Sequence, residues 1–355
     1  MRPRPQALVL GNGAAGAENQ ALALAKATGL PHRLVQSVPS PAAMRLPLRA
    51  QLAVQSMLGC NSIGLRGAEP PFPALAVSCG RGSVPASVDL RARSGRRTLT
   101  VHVQRPLCDE SAFDLVVAPR HDYLGDSAPA NVLLTEGALH AFDAAALDAA
   151  RATWANELEP FPRPRLALLF GGPTTRRWWQ RQAAPTPTPA SATALVRSAE
   201  VATAATGGSL LATVSRRTPV DVRDALGAAV EAARARGLPA WLWGGEGANP
   251  YAGFLACADH LLVTADSVSM VSEACATGAP VYIAAPDECR GRIAAFHRRL
   301  TELGRTMPWE GALLDDAPRV PLLDDMARST ARVVKLLRER DERGWRDDHE
   351  RRSEI

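Results

Sequence analysis

Apolar residues in this chain alternate between two rhythms from one end to the other. Short apolar runs at 7–10, 32–35, 75–77, 99–103, 115–117 and 132–134 have the length and β-branched content of buried strands. Between them, at 17–28, 49–58, 86–93 and 144–156, apolar positions recur every three to four residues, the spacing of a helix with one buried face. Strand and helix in alternation predict parallel sheets with helices packed on both faces. Pro160-Phe161-Pro162-Arg163-Pro164 interrupts the rhythm and reads as an interdomain linker, because proline can continue neither element. The pattern then restarts, with strands expected at 166–170, 210–214, 240–243, 260–263 and 281–284. Helices are expected at 190–206, 219–236, 251–258, 267–277 and 292–303. Thr218, Pro219 and Gly237 bracket one of these as N-cap, first helical residue and stop.

The fold class expected is therefore α/β, two tandem doubly wound Rossmann-like domains facing across a cleft, with boundaries at 1–159 and 160–323. Residues 324–355 are expected to form a last helix, docked through Val333, Val334, Leu336 and Leu337, and then a solvated charged tail.

Composition narrows the partners. A chain of 355 residues, 46% hydrophobic and 22% charged, has the balance of a globular protein with room for two cores. Its net charge is +5, carried almost wholly by arginine, since lysine occurs only at Lys26 and Lys335. Guanidinium forks suit oxyanions, but no basic stripe with interleaved aromatics is present, so no nucleic-acid partner is expected. No apolar run reaches the length of a membrane span and no secretory pattern opens the chain. A cytoplasmic protein is expected, with peripheral membrane association left open. Six cysteines form no CxxC pair and seven histidines no HExxH, so neither structural zinc nor disulfides are expected.

The unusual polar residues gather where strands end, which is where open α/β sheets bind ligands. In the first half these are Gly11-Asn12-Gly13-Ala14-Ala15-Gly16 with Glu18-Asn19-Gln20, then Gly80-Arg81, then Arg120-His121-Asp122. In the second they are Gly171-Gly172-Pro173, Ser215-Arg216-Arg217-Thr218, Trp243-Gly244-Gly245 and Asp266-Ser267. Asp266 is expected to cap a helix whose first turn carries Ser267 and Ser269, a site prepared for phosphate, with Glu273 one turn on and within reach of ribose hydroxyls. The same segment also fits an ordinary capped β-α-β unit. Arg216 and Arg217 read either as a solvated pair or, preferably, as a diphosphate clamp. Trp243, Asn249, Pro250 and Tyr251 read as the frame of a base, or as core. Gly11, Gly13 and Gly16 match dinucleotide-binding spacing, yet the acid required about 20 residues further on is replaced by Leu34-Val35-Gln36-Ser37. No nicotinamide, nor any other cofactor, is expected.

Those residues bring a resemblance into view over about residues 6–325. The chain resembles the mitochondrial fission family typified by a plant "elongated mitochondria" protein, whose bacterial members are labelled nucleoside-diphosphate-sugar epimerases or glycosyltransferases. The matching stretches are Gly16-Ala17-Glu18-Asn19-Gln20, Gly80-Arg81, Phe113-Asp114-Leu115-Val116-Val117, Leu133 with Thr135 and Gly137-Ala138-Leu139-His140, Gly171-Gly172-Pro173, Ser215-Arg216-Arg217-Thr218-Pro219, Asn249-Pro250-Tyr251, and 263–270 with Ser272-Glu273-Ala274. The resemblance implies a glycosyltransferase-B-like fold, its second domain holding a nucleoside-diphosphate sugar and its first an acceptor. Ser267, Ser269 and Arg216 would then bind phosphate and Glu273 the ribose. The chain departs from the family at Ala14 or Ala15, at Ala17 and over 176–179. The reading reached is a metal-independent glycosyltransferase with Glu18, His121 and Asp122 as candidate bases. Gly13, Gly16, Asn19, Gln20, Arg81, Gly171, Gly172, Ser215, Arg216, Arg217, Asn249, Asp266, Ser267, Ser269 and Glu273 are its candidate binding residues. The rivals are a non-hydrolysing sugar-nucleotide 2-epimerase and a non-catalytic interaction protein on the same fold.

Overall fold

A computed structural model describes residues 6–37, 46–58, 70–124, 127–173, 183–314 and 322–353. The backbone divides into two compact units, Met1–Ala141 with Asp324–Ile355, and Phe142–Leu323.

The first unit is built on a six-stranded parallel sheet of β1 (Ala7–Gly11), β2 (His32–Gln36), β3 (Leu75–Cys79), β4 (Leu99–Val103), β5 (Leu115–Pro119) and β6 (Val132–Thr135), ordered β2-β1-β3-β4-β5-β6. The central strands are buried along their length, which is why they read as unbroken apolar runs. Helix α1 (Ala15–Ala27) lays Ala21, Leu24 and Ala25 on one face of the sheet. The other face is covered by α2 (Leu48–Leu58) and α3 (Val84–Arg93), through Leu48, Ala86 and Leu90. Each such leucine removed from water is worth roughly 1.5–3 kcal/mol.

The second unit repeats the architecture with β7 (Arg165–Phe170), β8 (Ser209–Val214), β9 (Ala240–Trp243), β10 (His260–Thr264), β11 (Val281–Ala284) and β12 (Met307–Pro308), ordered β12-β11-β10-β7-β8-β9. Helices α4 (Ala144–Leu158), α7 (Tyr251–Cys257), α8 (Val268–Ala274) and α9 (Gly291–Glu302) cover one face, with Leu147, Phe254, Val271 and Phe296 in its core. On the other face, α5 (Pro189–Ala205) and α6 (Val220–Ala235) bring in Val196 and Leu226.

The division falls one helix before the expected linker. Helix α4 joins the second unit because Trp154 packs on Gly253 of α7 and meets Trp241, their ring centroids 6.2 Å apart. The last helix, α10 (Asp325–Ser353), joins the first unit and runs through the stretch expected to be a solvated tail. Val333 is fully buried against the sheet, and Asp325 accepts hydrogen bonds from the Glu136 and Gly137 amides at 2.9–3.1 Å. Regularly spaced charges, such as the Lys335–Glu339 pair, are compatible with helix where they had read as tail. Two caps differ from expectation. Pro219, not Thr218, caps α6, and Ser267, not Asp266, caps α8. The segment 176–179 lies outside the described residues.

Candidate functional site

Strand order sets where each unit can hold a ligand, since the crevice lies beyond the carboxyl ends of the two strands at which the winding reverses. That point is between β1 and β3 in the first unit and between β7 and β10 in the second.

In the second unit the loops at this point interlock. The Gly171 amide donates to Thr264 Oγ1 at 2.8 Å, and the buried Thr218 hydroxyl donates to the Gly171 carbonyl at 2.6 Å. A β-carbon on Gly171 would stand 2.4 Å from Asp266 Oδ2, and one on Gly172 would stand 2.4 Å from the Arg217 carbonyl carbon. The glycines are therefore required by close approach of protein, with the Asp266 carboxylate covering the first of them. Its Oδ2 is buried without a hydrogen-bond partner. Burial pushes Asp266 above the usual carboxylate range, opposed by bonds from Thr264 and the Gly172 amide and by nearby Arg217.

Beside this point stand Arg216 and Arg217, exposed, with no ion pair or side-chain hydrogen bond among the described residues. They are held by a short turn in which the Arg217 amide donates to Ser215 Oγ at 3.2 Å. Ser267 is buried, and its hydroxyl accepts from the Met270 amide at 3.4 Å, so it caps its own seven-residue helix. Ser269 is half-buried. Glu273 accepts a hydrogen bond from the Tyr251 hydroxyl. Burial raises its pKa to about 7, against the lowering effect of that bond. The exposed Asn249 accepts from the Tyr251 amide at 3.0 Å. Trp243 is half-buried, its indole N–H donating to the Glu246 carbonyl at 2.8 Å.

In the first unit Gly13 adopts a φ of 79°, and its amide donates to Glu18 Oε1 at 2.8 Å. Gln36 donates to the same oxygen at 3.0 Å. The glycine loop thus already holds a carboxylate of its own chain where a pyrophosphate would sit. Gly16 has open space around it, Asn19 is exposed, and Gln20 is buried with its amide turned to the Gly16 carbonyl at 3.3 Å. Asn12 ties the two loops of this switch point together. Its amide donates to the Cys79 carbonyl at 3.0 Å, and its Oδ1 accepts from the Ala14 amide at 2.9 Å. Arg81 spends a guanidinium N–H on the Leu46 carbonyl at 2.8 Å. His121 is buried, its Nε2 3.9 Å from Asp122 Oδ1, on a short turn after β5.

The structure thus gathers Gly171, Gly172, Ser215, Arg217 and Asp266 at one point, and Gly13 with Glu18 at another. Sequence reasoning missed Asn12, Thr218 and Thr264 as the bonds that lock these loops, and Tyr251 as the partner of Glu273. A hydroxyl or amide beside a glycine pair was the available signal. Among the described residues, no group of three or more His, Cys, Asp or Glu is placed to hold a metal ion. No described helix is long and apolar enough to cross a membrane.

Comparison with known proteins adds a family. A model described as mitochondrial fission ELM1 matches residues 15–337. The chain is similar to mitochondrial fission protein ELM1 of Arabidopsis thaliana, 29% identical over 334 residues that cover 88% of this chain and 74% of that protein. Among solved structures it is similar to UDP-GlcNAc 2-epimerase from Neisseria meningitidis bound to UDP-GlcNAc, at a TM-score of 0.48 and 12% identity over 94% of this chain and all (100%) of that one. It is also similar to MurG of Acinetobacter baumannii, at 0.47 and 12% over 94% and 99%.

Proposed function

The chain belongs to the mitochondrial fission ELM1 family, and from that premise we propose that it binds a nucleoside-diphosphate sugar in its second unit and transfers the sugar to an acceptor. The observation that carries this reading is the pair of exposed guanidinium groups, Arg216 and Arg217, beside the β7/β10 switch point. In an arginine-rich chain most cations on ordered elements find a carboxylate or a carbonyl. Two adjacent ones that do not, at the edge where this topology binds ligands, suit the two phosphates of a diphosphate.

The chemistry follows from charge. Displacement at the anomeric carbon leaves a nucleoside diphosphate whose negative charge grows in the transition state, and guanidinium groups that engage it there stabilise that charge more than the ground state. Ser269 and Asn249 supply neutral hydrogen-bonding groups, and Glu273 an acceptor for ribose hydroxyls. Asp266 covers Gly171 and the Arg217 backbone covers Gly172, so the diphosphate would lie outside the glycine pair, against the arginine side chains. In the first unit, Glu18 is the candidate base held in one orientation by two donors, with His121 and Asp122 as the alternatives. A cytoplasmic setting fits soluble nucleotide sugars.

The test is incubation of the purified chain with UDP-, GDP- and ADP-linked sugars, followed by analysis of nucleotide and sugar products. Nucleoside diphosphate released with the sugar on an acceptor supports transfer. Epimerised sugar assigns the reaction to the epimerase class, saturable binding without turnover assigns an interaction role, and absence of binding overturns the proposal.

A further inference from the structure

The Tyr251–Glu273 pair joins two segments 22 residues apart, the start of α7 and the end of α8. Tyr251 is fixed from several sides. Its amide is held by Asn249, its ring meets Phe142 at a centroid distance of 6.0 Å, and its hydroxyl donates to Oε2 of Glu273. The other carboxylate oxygen, Oε1, has no hydrogen-bond partner among the described residues, and the residue as a whole is largely buried. One oxygen is therefore clamped and the other is available.

We propose that Tyr251 is a positioning residue: by holding Oε2 it fixes the rotamer of Glu273 and turns Oε1 toward a vicinal hydroxyl pair of the bound ligand. This rests on the nucleotide reading above and assigns the ribose as the part of the ligand that Tyr251 indirectly selects. A carboxylate left free to rotate would spend conformational entropy on binding that the clamp has already removed. The clamp also sets protonation. Burial favours the neutral acid of Glu273, the donated bond from Tyr251 favours the carboxylate, and the balance stands at about 7. Tyr251 is the titratable side chain that acts on Glu273 among the described residues, and it stays protonated because burial and Glu273 both push its own pKa up. Losing its bond moves the Glu273 titration upward, so ribose recognition fails at a higher pH.

The experiment measures affinity of the full chain for the tightest binder among UDP, GDP, ADP and CDP and for its 2′,3′-dideoxy analogue, from about pH 5.5 to 8.5. The ratio of the two affinities cancels phosphate ionisation and isolates the hydroxyl contact. In the wild type the ratio should rise through a midpoint near neutrality. In Tyr251→Phe it should fall about three- to tenfold at pH 7, with its midpoint displaced upward, while the dideoxy ligand binds as before. Glu273→Gln, which preserves shape and cannot ionise, should flatten the pH dependence even if Tyr251→Phe folds poorly. An unchanged ratio and midpoint in Tyr251→Phe, or a pH-dependent ratio surviving in Glu273→Gln, overturns the positioning role while leaving nucleotide binding intact. A wild-type chain that binds none of the four diphosphates overturns the nucleotide reading and this inference with it.

Discussion

The two switch points solve one problem in different ways. Each has a glycine loop at the carboxyl end of a central strand, and each covers it with a carboxylate from its own unit. In the first, Glu18 is satisfied by the Gly13 amide and the Gln36 side chain. In the second, Asp266 lies over Gly171 with one oxygen buried and unpartnered, and burial pushes its pKa up. The cations differ as well. Arg81 beside the first point is tied to a carbonyl, whereas Arg216 and Arg217 beside the second are exposed without side-chain partners among the described residues. In the first unit the loop carboxylate and the neighbouring cation both have hydrogen-bond partners. In the second unit a buried acid with one unpartnered oxygen stands near Arg217, and both arginines are exposed.

The largest effect expected from breaking this comparison concerns the glycines. Gly172→Ala puts a β-carbon 2.4 Å from backbone of Arg217, which cannot rotate away. It should destabilise the second unit by about 1–3 kcal/mol in denaturant unfolding. Gly16→Ala meets nothing within 4 Å and lies in the first turn of α1, so it should leave stability unchanged or raise it by up to about 1 kcal/mol. Equal effects at the two sites would mean the loops are alike after all.

Next in size is the attachment of the last helix. Asp325 satisfies two amides of the β6 loop, and Asp325→Ala should cost roughly 1–3 kcal/mol through the stranded Glu136 and Gly137 donors. Hydrogen exchange at those two amides checks it directly.

A smaller, pH-dependent effect concerns Glu273. Glu273 has a folded pKa of about 7, raised from 4.5, so the fold prefers its neutral form. Stability is fully present below pH 4.5 and declines as pH rises toward 7, then levels off. Glu273→Gln should therefore be more stable than the wild type at pH 8 by on the order of 1 kcal/mol, and no more stable at pH 4. Thermal unfolding at the two pH values is the check.

Much of this was legible in the sequence. Eleven of the twelve strands followed from apolar runs; central ones such as 210–214 are buried on both faces and need apolar residues at every position, whereas the edge strand β2 is largely exposed and was legible from its short apolar run alone. The missing one, Met307–Pro308, is two residues long and carries a proline, too little pattern to read. The polar clusters at strand ends were legible for the same reason. Their internal bonds were not. Asp266 and Ser267 are both common caps, and the choice between them is made by Gly171, which leaves space for the Asp266 carboxylate across 95 residues of chain. The placement of α4 was hidden likewise, since it depends on Trp154 finding Gly253.

The most direct test of the central claim is calorimetric titration of UDP, GDP, ADP and CDP into the wild type and into the Arg216→Ala/Arg217→Ala double variant. Arg234→Ala, which removes an exposed arginine paired with Glu231 on α6, serves as the control. The account predicts saturable binding of at least one diphosphate, weakened about ten- to a hundredfold in the double variant and unchanged in the control. Affinity undiminished in the double variant, or a wild type that binds none of the four, contradicts it.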